Sequence, residues 1–192
     1  MAKVKNIKRG AGDLERRRTI DAILVLFGTA AAVFMLVFGT LAWWGYDFAS
    51  SSVYRELSAQ NIYFPAKGSA NFSPAEFPDI QKYAGQRVDN GLKAKAYANG
   101  FIARHLSKIA GGKTYAEVST MALRDPENTE LLSQKQALFQ GETLRGLLLG
   151  DGYAFWVFGQ LALAVSIASF VGATIMALLI GLGLRHMNSF II

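Results

Sequence analysis

Charged side chains vanish from two long stretches of this chain. None occurs from Ala22 to Tyr46, and none from Gly152 to Leu184. These runs of 25 and 33 residues each exceed the roughly 20 residues that a helix needs to cross a ~30 Å hydrocarbon core. Helix is the expected form, because lipid offers no partner to open backbone groups. A soluble fold would spread its apolar residues periodically over many elements instead of collecting them in two blocks. The pattern predicts spans at 19–46 and 152–184, a leader at 1–18, an intervening domain at 47–151 and a short tail at 185–192.

The intervening segment has a different texture. Asp47–Gln60 lacks Gly and Pro and extends the first span outward as a stalk, with Val53 and Leu57 as i, i+4 neighbours. Pro65, Gly68, Pro74 and Pro78 then break any long helix. Ser73-Pro74-Ala75-Glu76 reads as a short helix start, with Ser as N-cap and Pro at the first position. Between Asp89 and Ala110, the residues Leu92, Ala96, Ile102, Ala103, Leu106, Ile109 and Ala110 share one arc of a helix, interrupted by Lys95. Gly111-Gly112 ends that helix. Thr114-x-x-Glu117 is a capping box that starts the next one, which Asp125-Pro126 stops after Arg124. A last helix runs from Glu127 to Leu149, and Gly150-Asp151-Gly152 leaves open whether it kinks or continues into the second span. The fold class expected is an all-α membrane protein: two transmembrane helices with a helical extracytoplasmic domain between them.

Charge supplies the orientation. The leader carries Lys3, Lys5, Lys8, Arg9, Arg16, Arg17 and Arg18, whereas residues 47–151 are close to balance and Arg185 follows the second span. The positive-inside rule places both termini in the cytoplasm of an inner (plasma) membrane. Arg16, Arg17, Arg18 and Arg185 mark that interface. Trp43, Trp44, Tyr46, Tyr153 and Trp156 mark the opposite one, where amphipathic rings favour the headgroup level. Arg18 to Trp43 rises ~38 Å and Trp156 to Arg185 ~44 Å, enough for a bilayer with headgroups. The first apolar run is too long for a cleaved signal peptide and suits a signal anchor. Small residues at four-residue spacing, Gly28 and Ala32 in the first span and Ala164, Ala168 and Gly172 in the second, predict close helix packing. That packing joins the two spans of one chain, with a homo-oligomer as the other use.

Chemistry is sparse. The chain has no cysteine and two histidines, His105 and His186. On the predicted topology they lie on opposite sides of the bilayer, so one chain cannot assemble a two-His-one-carboxylate or three-His metal site. No Gly-x-Ser-x-Gly elbow accompanies His105. Gly111-Gly112-Lys113-Thr114 lacks the leading glycine of a phosphate loop. No catalytic, cofactor-binding or metal residue is expected, and no enzyme. A leader anchored immediately afterwards favours anionic lipid over nucleic acid. In the proline-rich segment, Tyr63, Phe64, Phe72 and Phe77 suit either a partner contact or a plug for a small core.

The runs Tyr83-Ala84-Gly85-Gln86-Arg87-Val88-Asp89, Lys95-Ala96-Tyr97-Ala98-Asn99-Gly100-Phe101-Ile102-Ala103-Arg104-His105-Leu106 and Gly111-Gly112-Lys113-Thr114-Tyr115-Ala116-Glu117-Val118, with Leu144-Arg145-Gly146-Leu147-Leu148-Leu149, resemble small actinobacterial two-span membrane proteins over residues 20–185. Members of that family are often labelled aromatic ring-opening dioxygenases. The separated histidines argue against that activity here, and the resemblance implies no other. The expectation is a non-enzymatic accessory or scaffold subunit of a respiratory or cell-envelope complex, with the bilayer and other membrane subunits as partners. The alternative is a sensor whose extracytoplasmic domain binds a lipid or small molecule.

Overall fold

The computed structural model describes the backbone of residues 2–189 and the side chains of 15–187. Most of the basic leader and the end of the tail therefore lie outside the described side chains. The chain is all-helical, with no strand among the described residues. Helices α1 (Ala2–Ala59), α2 (Gly91–Lys95), α3 (Ala103–Ile109), α4 (Tyr115–Arg124), α5 (Thr129–Leu147) and α6 (Phe155–Ser189) follow in order. Two π segments interrupt them: π1 (Ala96–Ile102) joins α2 to α3, and π2 (Leu148–Ala154) joins α5 to α6. The backbone thus stays helical through Gly150-Asp151-Gly152, by way of a π turn and without a break.

Two helices are long and apolar enough to cross a membrane, within Glu15–Ala59 and Thr129–Met187. Only 11% of the most apolar window of each is buried by the protein itself. A core helix of a soluble protein would be mostly covered, so these surfaces call for lipid or for another chain.

The chain divides into two compact units, Met1–Gly45 with Ala162–Ile192, and Tyr46–Leu161. In the first, the span unit, small residues form the seam. Val25, Gly28, Ala32, Met35, Gly39 and Ala42 of α1 recur at a seven-residue period, as do Ser166 and Ala173 of α6. A Cβ on Gly28 would meet Ile180 at 3.3 Å, and one on Gly172 would meet the Met35 sulfur at 3.0 Å. The Ser166 hydroxyl, fully buried, donates to the Gly39 carbonyl at 2.8 Å. Gly28, Ala32 and Gly172 therefore sit where the spacing predicts. Ala164 and Ala168 do not: both are exposed. A four-residue row drifts about 40° around an α-helix per step. A seven-residue row returns to within about 20° and stays on one face.

The second, the middle unit, has a conventional core. Phe64, Phe72, Phe77, Ile80, Val88, Ala94, Ala98, Ile102 and Leu106 are buried together with Val53 and Leu57 from α1 and Leu148 from π2. Phe64, Phe72 and Phe77 are 2%, 0% and 1% exposed, so they are the plug of this core and are not available to a partner. Tyr63 alone of the four predicted contacts is exposed. Phe72 stacks on Phe77 at 5.3 Å and meets Phe101 edge-on at 5.9 Å. The proline-rich segment that carries these rings makes no helix at Ser73–Glu76; Ser73 Oγ accepts the Glu76 N–H in a single turn. Arg104 clamps the segment to the helix through Asp79 at 2.7 Å and the Glu76 carbonyl at 3.3 Å, and Lys108 pairs with Glu76.

The π1 segment changes which face of its helix is buried. The sequence arc puts Leu92 and Ala96 on the core face, yet Leu92 is half exposed and Ala94 is fully buried. Ala94, Ala98, Ile102, Leu106 and Ala110 are the buried row. Four-residue spacing would spiral away from a plain α-helix face, but a π turn holds an extra residue and keeps the row aligned. Gly91 is required at the start of this helix, because a Cβ there would run into the Trp156 indole.

Candidate functional site

A mostly apolar concavity of the middle unit lies between the end of α1 and the π2 segment. Its volume is about 760 Å³, within the range of small-molecule sites. Buried Val53, Leu57, Leu148 and Gly152 form its floor. Ala154, Phe155, Phe158 and Leu147 extend it along the second helix, and Ser52, Glu56, Gln60 and Asp151 supply its polar groups. A Cβ on Gly152 would touch Leu57 at 3.5 Å and Ala94 at 3.1 Å. Gly150 lines the same groove and has open space where a side chain would stand.

Sequence reasoning did not find this groove. Its one local signal was an acidic residue between two glycines at the head of an apolar run. The polar groups come from segments about ninety residues apart, and no spacing rule relates them.

Behind the groove, Arg145 fastens the two π-bearing helices. Its Nε donates to the Ala98 carbonyl inside π1 at 3.2 Å, and one Nη donates to Asn99 Oδ1 at 3.2 Å. The other Nη holds both Glu142 oxygens at 2.7 and 2.8 Å. A π turn loosens the helical bonding ladder, and the guanidinium supplies a further donor there.

The remaining polar features are structural. Gly111 and Gly112 adopt φ of 58° and 79°, and their N–H groups donate to Lys108 and Ser107 carbonyls in a Schellman ending. Thr114 then caps α4 as the capping box predicts: the Glu117 N–H donates to Thr114 Oγ1, while Glu117 Oε2 accepts from the Thr114 N–H at 2.7 Å. The Thr114 donors at this turn are taken by Glu117, and the N–H groups of Gly111, Gly112 and Lys113 by carbonyls of the preceding helix end. That hydrogen bond from the Thr114 backbone, with one from its hydroxyl, lowers the Glu117 pKa below the ordinary glutamate value. Asp79 is lowered by its bond from Arg104, whose own pKa rises in return. Burial raises the Tyr97 phenol.

Of the predicted interface residues, Trp43, Trp44, Arg16, Arg17, Arg18 and Arg185 are exposed on the two span helices. Tyr153 and Trp156 face the middle unit as well. The Tyr153 hydroxyl meets Lys95 Nζ at 3.1 Å, and the Trp156 ring packs against Gly91. The expected boundary at 151/152 consequently falls inside the compact unit, which takes in residues 152–161. The exposed His105 stacks on Phe101 in the middle unit, and His186 belongs to the span unit.

These features define an all-helical chain with two candidate membrane spans and an aromatic-cored middle unit. No family model, no curated protein and no solved structure matches it.

Proposed function

We propose that this chain is a two-span inner-membrane protein, both termini cytoplasmic, that serves as a non-enzymatic accessory or scaffold subunit of a larger membrane assembly. The observation that carries the reading is apolar surface left uncovered in the middle unit. Leu132 and Phe139 are exposed one heptad apart on α5, and Phe139 lies 6.0 Å from the exposed Tyr115 ring at the start of α4. Exposed apolar side chains grouped on one helix suit a contact with another protein. The basic leader, the aromatic residues at the span ends and the resemblance to two-span actinobacterial proteins agree with this reading.

Extraction of the full chain from native membranes in mild detergent tests it. The expected result is a particle well above the 20.9 kDa of one chain, with co-purifying subunits identified by mass spectrometry. A bare monomer overturns the proposal. Topology is tested separately, since the chain lacks cysteine and a single introduced one is the sole thiol. A membrane-impermeant maleimide should label Lys113→Cys in intact cells and Asn6→Cys only after permeabilisation. The reverse labelling overturns the orientation.

A further inference from the structure

A second concavity of the middle unit, about 300 Å³, opens between the 3-10 turn Gln81–Tyr83 and the helix face that runs from α2 into π1. We infer that it binds a phosphate monoester. The inference goes beyond the accessory role and rests neither on it nor on how the spans lie in a membrane.

The two walls are joined by direct contact. Ile80, buried just before the turn, lies against buried Gly100, where a Cβ would stand 2.8 Å from Ile80 Cγ2. Lys82 lines the wall of the turn, and Lys95 and Asn99 line the helix wall. Lys95 and Asn99 are i, i+4 neighbours and share one face. Each of the three donors is held by a partner of its own. Lys95 Nζ stands 4.5 Å over the Tyr153 ring and donates to its hydroxyl at 3.1 Å. Lys82 Nζ stands 5.0 Å over the Tyr83 ring. Asn99 Oδ1 accepts from Arg145 at 3.2 Å, which leaves the Asn99 amide group as a donor.

A ring positions an ammonium without cancelling its charge, and neither lysine belongs to an ion pair among the described residues. The acid of the lining, Asp79, is bonded to Arg104 at 2.7 Å. That bond is the largest cause of its lowered pKa, and the Lys82 charge is the smallest. Arg104 is thus the counter-ion of Asp79, and the cavity stays positive. Charge and donor number then select the ligand. A phosphate monoester brings close to two negative charges and three acceptor oxygens at neutral pH, against two ammoniums and one amide. A carboxylate or a phosphodiester brings a single charge. Half-exposed Leu92 at the rim supplies an apolar contact for the carbon side of the ester.

The test titrates the full chain, in neutral detergent and phosphate-free buffer, with glycerol phosphate and follows the phosphorus NMR signal of the ester. The expected result is saturable binding, about tenfold tighter than that of the diester dimethyl phosphate, the ratio that one charge-assisted hydrogen bond provides. Lys82→Gln and Lys95→Gln should each weaken it about tenfold on the same grounds. Asn99→Asp keeps an oxygen for Arg145 while replacing the donor by a negative charge. It should abolish binding with the protease resistance of the middle unit unchanged. Binding that does not saturate overturns the inference. So does a loss in Lys113→Gln, outside the cavity, as large as that in Lys95→Gln, and so does unchanged binding by a folded Asn99→Asp chain. Native mass spectrometry of the same preparation separates two sources of the phosphate. Retention of phosphatidic acid over phosphatidylglycerol with the same acyl chains, lost in Asn99→Asp, supports the site and assigns it to a lipid head. Retention of neither lipid, with glycerol phosphate bound, supports it and assigns it to a free ester. Failure of phosphate binding leaves the particle mass, and thus the accessory reading, untouched.

Discussion

The buried positions of the middle unit include large rings and branched chains, Phe64, Phe72, Phe77, Ile80 and Val88, beside small residues such as Ala94 and Ala98. Those of the span unit are filled by Ala32, Gly39, Ser166 and Ala173. The difference matches what lipid around the two candidate spans, and water around the middle unit, would select. In water, removing large apolar surfaces drives compaction, so a large side chain contributes most when buried. In lipid the surroundings are as apolar as the interior, so large residues gain little by turning inward. Helices then associate through close backbone approach and an occasional hydrogen bond. Leu24, Leu26, Phe27 and Phe34 accordingly face outward from α1, while glycine and alanine form the seam.

Four substitutions probe this contrast, in decreasing order of expected effect. Phe72→Ala removes the centre of the ring cluster and should destabilise the middle unit by about 3–5 kcal/mol, read as loss of protease resistance and a lower urea midpoint. An effect no larger than that of the exposed Phe139→Ala would show that the cluster is not the core of this unit. Arg145→Ala deletes donors to Ala98 and Asn99 and should cost about 2 kcal/mol. Hydrogen exchange should rise around 96–102 first, because that π turn loses its added donor.

Thr114→Ala removes the N-cap of α4 and should cost about 1 kcal/mol, sharpening how far local caps contribute beside the core. Acidification addresses the same cap. Glu117 and Asp79 have folded pKa values below their ordinary ones, so their contribution is complete above the usual carboxylate range of about 4. It is lost as pH falls through the lowered values. Thermal midpoints should therefore drop on the acid side, and Thr114→Ala should flatten the Glu117 part of that drop. Ser166→Ala should have the smallest effect, about 0.6 kcal/mol, typical of a hydrogen bond between membrane helices. Steric trapping of the two spans measures it; a loss as large as that of Phe72→Ala would erase the distinction between the units.

Much of this architecture was legible along the chain. The charge-free runs, the glycine ending at 111–112, the capping box at Thr114 and the stop at Asp125-Pro126 all act within one or two turns, where neighbours in sequence are neighbours in space. The faces were less accessible. Leu92 and Ala96 were placed on the core arc by a uniform 3.6-residue period. The π turn from Ala96 to Ile102 breaks that period: Ala96 still packs against the core, but Leu92, before the turn, rotates away. Ala164 and Ala168 were chosen by a four-residue rule, but long helices keep a seam only by a seven-residue one.

The sequence by itself determined that two segments are too apolar for water and that the stretch between them is helical, broken where proline and glycine demand. Those decisions depend on solvation and on local backbone freedom, which each residue carries with it. Only the tertiary structure decided that Phe64, Phe72 and Phe77 turn inward, that π2 presses Gly152 onto Leu57, and that Glu56 and Asp151 line one apolar groove. Those decisions depend on which distant surfaces pack, because burial and pairing are properties of two segments and belong to neither alone.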